Sequence, residues 1–473
     1  MNAVTPANSE IADTLRDHLE RRTGLTVETR PSALEQYAGG EGMPYRRVPD
    51  AMVAPSNTQD VSAVVRVAAD LGAPVTCFGG GTSLEGQVVP VEGGLVIDTS
   101  RMSNVLEVSS EALDCRVQGG IRRKNLNAYL RDTGVFFPVD PGPDATIGGM
   151  VSTRASGTNA VRYGTMKENV LGLTVVLADG TVIRTGSRAR KASVGYDLTS
   201  LFVGSEGTLG VITEVALKLV PRPSSIASGI CQFDKLDKAL AVVSQTLLLG
   251  LEPSRLELLD EVQTVACAAY SRLEELRDAS TIFFEFAGNA DDVSRRIKAF
   301  RDICAQNAGS EARRFDTAEA HSRYWTARER CYEAALSLAP GKKNMGTDAC
   351  VPLDRLAECI LRTKELIAAS GLIAPMVGHV GDGNFHLGIL FDPEDAEESG
   401  RAEQLCRQVS LLAMELGGVC SGEHGIGIHK RSLMDSQHGE ALAVMRTIKA
   451  ALDPASIMNP GKLLPPEGTG QFD

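Results

Sequence analysis

The chain has 473 residues, too many for one ordinary domain, so two are expected. Hydrophobic residues make up 43% and charged residues 23%, an ordinary balance for a soluble globular chain. The formal charge of −12 and pI near 5.3 argue against nucleic acid or an anionic membrane as the main partner, and an anionic substrate would need a local cationic site. No apolar run approaches the ~20 residues of a spanning helix. The stretch from Met1 to Glu20 has neither a signal peptide's apolar core nor a transit peptide's arginines. The expectation is a cytoplasmic chain, with peripheral membrane attachment left open. Ten cysteines are scattered without a C-x-x-C pair, as for free, mostly buried thiols in a reducing compartment.

In chain order, residues 58–71 carry apolar positions at helical spacing behind the capping candidates Asn57 and Thr58. A strand-like run at 74–78 leads directly into the glycine loop GGGTSLEG at 79–86. Further strands are expected at 94–99, 114–120, 172–179 and 209–221, so helices and strands interleave through about the first 220 residues. PRPSS at 221–225 reads as a linker. Beyond it the spacing predicts a helix at 235–248, helical stretches through 255–275 and 290–307, and a strand at 281–286. Helices return at 400–416 and 440–451. No internal repeat or low-complexity tract appears.

Gly79, Gly80 and Gly81, followed by Thr82 and Ser83, can turn the backbone sharply and aim successive N–H groups into one concavity suited to a pyrophosphate. This is not the Rossmann fingerprint, because Leu84 stands where G-x-G-x-x-G wants glycine or alanine. Taken alone, the loop is as compatible with a bare tight turn. Three more stretches, at 137–164, 204–213 and the ARKASVGYDLTSLF run between them, are dense in Gly, Ser, Thr and Asn. Such composition suits backbone laid against a large flat ligand rather than apolar core.

Taken together over roughly 45–222, these motifs resemble the FAD-binding domain of the vanillyl-alcohol-oxidase (PCMH-type) flavoproteins. The resemblance implies that Gly79 to Ser83 hold the FAD pyrophosphate. It also implies that Pro141, Thr146, Gly148, Gly149, Ser156, Gly157 and Asn159 line the flavin, with Gly207 and Ile212 beside the adenine end. Some relatives tether flavin through a histidine in these loops; this chain has none there, so FAD is expected to be non-covalent.

Five of the seven histidines fall between 379 and 438. In MVGHVGDGNFHLGIL at 376–390, strand-like flanks surround a turn signal, Gly381-Asp382-Gly383-Asn384. With those four residues as the loop, His379 faces His386 and the two imidazoles share one face, placed to hold a metal ion. In CSGEHGIGIHK at 420–430, an extended backbone would send Glu423 and His424 to opposite sides. Two imidazoles and a carboxylate with an open position form a recognised catalytic metal set. Glu423 would complete it, and His424 would remain as a base. A lone His or Glu-His is more often structural, and His18, His321, His429 and His438 are read that way, His429 and His438 as surface residues.

HVGDGNFH, SGEHGIG and DPASIMNPGKLLP together resemble the C-terminal half of FAD-linked D-2-hydroxyacid dehydrogenases. That group contains D-lactate dehydrogenase of the cytochrome type, D-2-hydroxyglutarate dehydrogenase and the glycolate oxidase flavin subunit. The resemblance covers about 320–465. It implies divalent metal (Zn²⁺ or Mn²⁺) at His379, His386 and Glu423, and His424 as base. In YWTARERCYEAA at 324–335 the residue pattern alone fits a solvated helix. The resemblance instead assigns Arg328 to the substrate carboxylate and Tyr332, one helical turn on, to the pocket; Asn384 is expected to assist Arg328. GTDACVPLDRL at 346–356 looks most like the D-lactate branch. The hydroxyglutarate enzymes carry a lysine where this chain has Gly346, with Lys342 and Lys343 off register.

The fold class expected is α+β: a two-subdomain PCMH-type FAD-binding domain over 1–222, an α+β substrate (cap) domain with an antiparallel sheet over 223–420, and a segment over 421–473 returning to the FAD domain. The expected reaction oxidises a small D-2-hydroxy acid to the 2-oxo acid. His424 takes the hydroxyl proton, and hydride passes to flavin N5. The acceptor beyond the flavin is left open among cytochrome, quinone and electron-transfer flavoprotein, as is the oligomeric state, a homodimer included. The competing readings outside the class are a non-redox transferase like alkyl-dihydroxyacetonephosphate synthase and a flavin-binding subunit inactive until it meets an iron–sulfur partner.

Overall fold

Asn57 caps its helix: its side chain accepts from the backbone N–H of Asp60, and the helix runs Thr58–Leu71 to a left-handed Gly72. That agreement is typical of the N-terminal part of the chain. In a computed structural model, which describes residues 6–40, 45–315 and 317–466, the expected strands appear as Val75–Phe78, Leu95–Asp98, Asp114–Gln118, Val170–Val176 and Val211–Lys218. Two units divide the chain: 1–156 with 165–222 and 423–473, and 157–164 with 223–422.

The first unit is built on two sheets. Val27–Glu28, Ala51–Val53, Leu95–Asp98 and Val75–Phe78 form a four-stranded sheet in that order, with Leu95–Asp98 parallel to both its neighbours. Val61, Val64, Val65 and Ala68 of the capped helix pack with Val53, Val75, Leu95 and Ile97 in one core. A five-stranded antiparallel sheet runs Val105–Ser109, Asp114–Gln118, Val211–Lys218, Val170–Val176, Val182–Gly186. The C-terminal residues add to the first sheet: Val75 N–H donates to Ile457 O and Asn459 N–H to Val75 O, each at 2.8 Å.

An eight-stranded antiparallel sheet dominates the second unit. Its order is Arg313–Arg314, Ser225–Phe233, Ser280–Gly288, Arg255–Leu259, Met376–His379, Asn384–Phe391, Lys343–Gly346, with Ala349–Cys350 also pairing to Asn384–Phe391. Side chains alternate between faces along a strand, and both faces are covered. Cys231, Leu258 and Phe284 enter one core with the helices Leu236–Leu248, Ala290–Gln306, Leu356–Ser370 and Ala396–Glu415. Ile230, Leu259 and Phe283 enter the other with Glu261–Ser271, Ala318–Glu329 and Cys331–Ser337.

One element differs in kind from its sequence expectation. Residues 255–259, read as the start of a helical stretch, form a strand deep in this sheet, and the helix begins only at Glu261. The run RLELL favours helix by residue type, but pairing on both sides and burial of Leu256, Glu257, Leu258 and Leu259 override that weak preference. All ten cysteines are unbridged, eight of them buried. Among the described residues no helix is long and apolar enough to cross a membrane.

Candidate functional site

In the first unit the strand Val75–Phe78 ends directly in the glycine loop. Gly81 sits at φ +71°, and a Cβ there would come within 2.8 Å of the Phe78 ring; a Cβ on Gly79 would come within 2.3 Å of Thr146 Oγ1. At Gly79 and Gly81 a larger residue would force its neighbours to move. Thr146 caps the short helix Ile147–Thr153, and a Cβ on Gly148 would lie 2.9 Å from Gly119 O. Two buried hydroxyls in these glycine stretches, Ser83 Oγ and Ser205 Oγ, have no hydrogen-bond partner among the described residues, as expected where a polar ligand supplies one. Gly207 takes φ +72°, and Ile212 is buried in Val211–Lys218. Pro141 and Ser156 are half-buried. Gly157 and Asn159 fall in the second unit, where Asn159 Oδ1 accepts from Arg255 Nε at 3.0 Å. The cradle fits a pyrophosphate-bearing cofactor.

The SGEHGIG segment is a series of bends rather than a strand, so the strand alternation expected for Glu423 and His424 does not apply there. Within the first unit, Gln87 Nε2 donates to His424 O at 2.7 Å. Ile426 and Gly427 N–H donate to the Glu206 carboxylate at 2.6 and 2.8 Å, and Ile428 N–H donates to Glu85 O at 2.8 Å. Gly427 at φ +52° leaves no alternative residue, since its Cβ would lie 2.0 Å from Glu85 O. Burial pushes the Glu206 carboxyl up to about 7.

Glu85, only 1% exposed, gathers three nitrogens. Lys430 Nζ lies 2.8 Å from Oε1, His429 Nδ1 lies 2.9 Å from Oε2, and His424 Nδ1 lies 3.5 Å from Oε1. Burial works against the charge, but Lys430, His424 and His429 outweigh it and hold the carboxyl well below its ordinary range. His429, expected at the surface for want of a glycine frame, is instead hydrogen-bonded to Glu85 and two-thirds buried.

In the second unit the hairpin forms as Met376–His379 and Asn384–Phe391, but its register differs from the expected one. His379 pairs with Asn384 and Val377 with His386, so the loop is Val380 to Gly383. Asn384 has entered the strand because its amide is consumed there, Nδ2 donating to Asp348 Oδ1 at 3.0 Å and Ala349 O at 2.9 Å. The slip moves each partner by two positions, which preserves the face. His379 and His386 remain diagonal neighbours with ring centroids 5.4 Å apart.

Each ring is oriented through Nδ1. His379 Nδ1 lies 2.9 Å from Glu257 Oε1, and His386 Nδ1 lies 3.0 Å from Thr347 O. A carbonyl can only accept, so His386 Nδ1 carries the proton; an ionised carboxylate demands the same of His379. In the neutral form of each ring the lone pair is then on Nε2, the arrangement of metal-binding histidines whose other nitrogen donates to a fixed acceptor. Glu257 also binds Arg328, whose Nε and Nη2 donate to Oε2 at 3.0 and 2.5 Å. Burial disfavours the Glu257 charge, but His379 and Arg328 outweigh it and lower its pKa. Arg328 is raised by the same partner against its own burial.

Asp348, wholly buried, holds the hairpin and the following loop together, accepting from Asn384 and, at 2.6 Å, from Ser421 Oγ. Asn384 has both amide hydrogens committed and supports this network rather than a substrate carboxylate. The helix carrying Arg328 ends at Glu329, and Tyr332 belongs to Cys331–Ser337. They do not share one continuous helix, and Tyr332 is half-exposed. Sequence reading missed Glu257, Glu85 and Asp348, whose partners lie far along the chain.

Both parts of the chain match known proteins. Residues 49–186 match the FAD-binding domain, and residues 222–463 match the C-terminal domain of FAD-linked oxidases. The chain is 43% identical over 442 residues to a probable mitochondrial D-lactate dehydrogenase of Danio rerio, covering 93% of this chain and 89% of the relative. It is 43% identical to the mitochondrial D-lactate dehydrogenase (cytochrome) of Arabidopsis thaliana, covering 89% and 74%. It is 33% identical to the glycolate oxidase subunit GlcD of Bacillus subtilis, covering 89% and 90%. Among solved structures, an alkyldihydroxyacetonephosphate synthase superposes with TM-score 0.75 at 18% identity, covering 98% and 87%. A p-cresol methylhydroxylase superposes with TM-score 0.73 at 16% identity, covering 97% and 98%. At that identity these last two speak for the fold.

Proposed function

The chain belongs to the FAD-linked oxidases, and from that premise we propose that it is an FAD-dependent dehydrogenase oxidising a small D-2-hydroxy acid of the D-lactate type to the 2-oxo acid. The observation that carries the reading is Glu257, which holds a guanidinium on one oxygen and an imidazole of a histidine pair on the other. A cation able to fork onto a carboxylate thereby stands beside a candidate metal ligand.

Arg328 binds the substrate carboxylate with the N–H groups that Glu257 leaves, two of its five being used there. His379 and His386 offer Nε2 lone pairs to a divalent cation, Zn²⁺ or Mn²⁺, and Glu423, one peptide bond beyond Gly422, is the proposed third ligand. His424 is the base that accepts the C2 hydroxyl proton. Tyr332 shapes the pocket. The bound cation would supply Lewis-acid polarisation and the flavin the two-electron sink. FAD would be held non-covalently, because no histidine lies in the stretches 79–83, 137–164 or 204–213. The cytochrome named in the Arabidopsis relative makes a cytochrome the first acceptor to test.

A dicarboxylate substrate would need a second cation. Lys342, a near candidate in sequence, is ion-paired with Glu398, which favours the monocarboxylate. Glycolate is the second reading, supported by the Bacillus relative. Steady-state oxidation of D-lactate, D-2-hydroxyglutarate and glycolate with an artificial acceptor separates the three. A kcat/KM for D-lactate below either rival overturns the lactate assignment. His424→Ala, with FAD and metal retained, is expected to lose about 10²- to 10⁴-fold in turnover; near-wild-type turnover would remove His424 from its role.

A further inference from the structure

Antiparallel pairing of Arg255–Leu259 with Met376–His379 runs Leu259 to Val377 and Leu258 to Gly378. The next rung of that ladder places Glu257 opposite His379, so the sheet itself brings the two side chains to one face. The same face carries Leu259 into the core shared with Tyr324, Trp325 and Ala327 of the helix Ala318–Glu329, and this helix delivers Arg328. Glu257 is 1% exposed, and His379 and Arg328 are 8% exposed each. All three are therefore held on regular elements, where packing limits their rotamers.

We infer that Glu257 is a positioning residue that sets the metal-binding histidine and the substrate-binding arginine together: one oxygen fixes the His379 ring with Nε2 as its lone-pair atom, and the other fixes the Arg328 fork. The inference rests on the function proposed above for His379 and Arg328. A carboxylate does this better than an amide. Ionised, it only accepts, so it imposes one tautomer on His379 and matches the donor-only guanidinium. Glutamine would turn an NH₂ toward one of its two partners, and both partners need an acceptor. Losing a carboxylate behind a metal-binding histidine typically costs 10–100-fold in metal affinity.

The test uses the FAD-loaded protein and the metals alone, with Zn²⁺ and Mn²⁺ each titrated against a competing chelator. Glu257→Gln is expected to weaken binding of both ions about 10–100-fold. At saturating metal it should raise KM for D-lactate about tenfold while kcat falls less, because the Arg328 fork loses its anchor. Flavin content should stay at the wild-type level. Metal affinity and KM both within twofold of wild type would overturn the inference.

Should the lone substitution leave Arg328 too poorly compensated to fold, Glu257→Gln with Arg328→Met removes both charges. Its metal affinity is then compared with that of Arg328→Met alone, and equality again overturns the role. His379→Ala measured in parallel distinguishes the two levels. If it keeps metal and D-lactate oxidation, the proposed site itself falls; if it loses them while Glu257→Gln does not, only the role of Glu257 falls.

Discussion

Replacing Arg328 by lysine or methionine separates its two duties. Glu257 is buried and takes two charge-assisted bonds from the guanidinium, at 3.0 and 2.5 Å. Methionine fills similar volume but leaves that carboxylate without its guanidinium partner, which for a buried pair costs on the order of 3–5 kcal/mol. Lysine keeps the charge but not the fork. It surrenders at least one bond to a charged group, about 1.5–3 kcal/mol, or roughly a tenfold to hundredfold loss in kcat/KM at about 1.4 kcal/mol per tenfold. Urea unfolding of the FAD-loaded protein reads the first effect, and D-lactate oxidation with an artificial acceptor reads the second. Adding Glu257→Gln to Arg328→Met should recover most of the lost stability, because no buried charge is then stranded. A lysine variant with kcat/KM within twofold of wild type would refute the bidentate clamp, and a methionine variant as stable as wild type would refute the buried pair.

Two further outcomes follow from the first unit. Glu206 titrates at about 7 in the folded chain against an ordinary 4.5, so the folded state holds this proton more tightly than the unfolded state. Its contribution is full below pH 4.5 and is lost as the pH rises through 7, an amount on the order of 3 kcal/mol. Chemical denaturation at pH 5 and pH 8 should show this fall in wild type and a flatter dependence in Glu206→Gln; identical profiles would contradict it. Gly427→Ala meets both a positive φ and a Cβ contact of 2.0 Å with Glu85 O, whereas Gly24→Ala has a positive φ and nothing within 4 Å. Thermal denaturation should give about 1 kcal/mol for Gly24→Ala and more than twice that for Gly427→Ala, with turnover falling only in the latter; equal costs would contradict the loop geometry.

The sequence disclosed most readily what is local. Asn57 ahead of a 3.6-residue pattern marked its helix, and the glycine stretches marked the flavin cradle because positive φ and close backbone approach leave a compositional trace. The hairpin was legible in kind but not in register, since Asn384 is as good a turn residue as Gly381 until its amide is seen bonding to Asp348 and Ala349. The strand Arg255–Leu259 was hidden by residues that favour helix in isolation, and with it Glu257 was hidden. Glu85 stood in plain view inside GGGTSLEG, yet its partner His429 is 344 positions away. No local pattern reports such a contact. What the sequence concealed is thus the outer layer of buried carboxylates that aim the histidines, whereas the histidines themselves were visible through their glycine frames.

Anaerobic bleaching of the bound flavin by D-lactate, followed by stopped-flow absorbance, tests the metal-assisted hydroxy-acid chemistry directly. It is run on the protein as purified, after exhaustive chelation, and after restoring Zn²⁺ or Mn²⁺. Rapid bleaching is expected, with a loss of at least tenfold in its rate on chelation with FAD still bound and recovery on adding one of the ions. Bleaching that proceeds equally fast without metal would contradict the histidine-held cation, and a flavin that D-lactate never bleaches would contradict the hydroxy-acid chemistry as a whole.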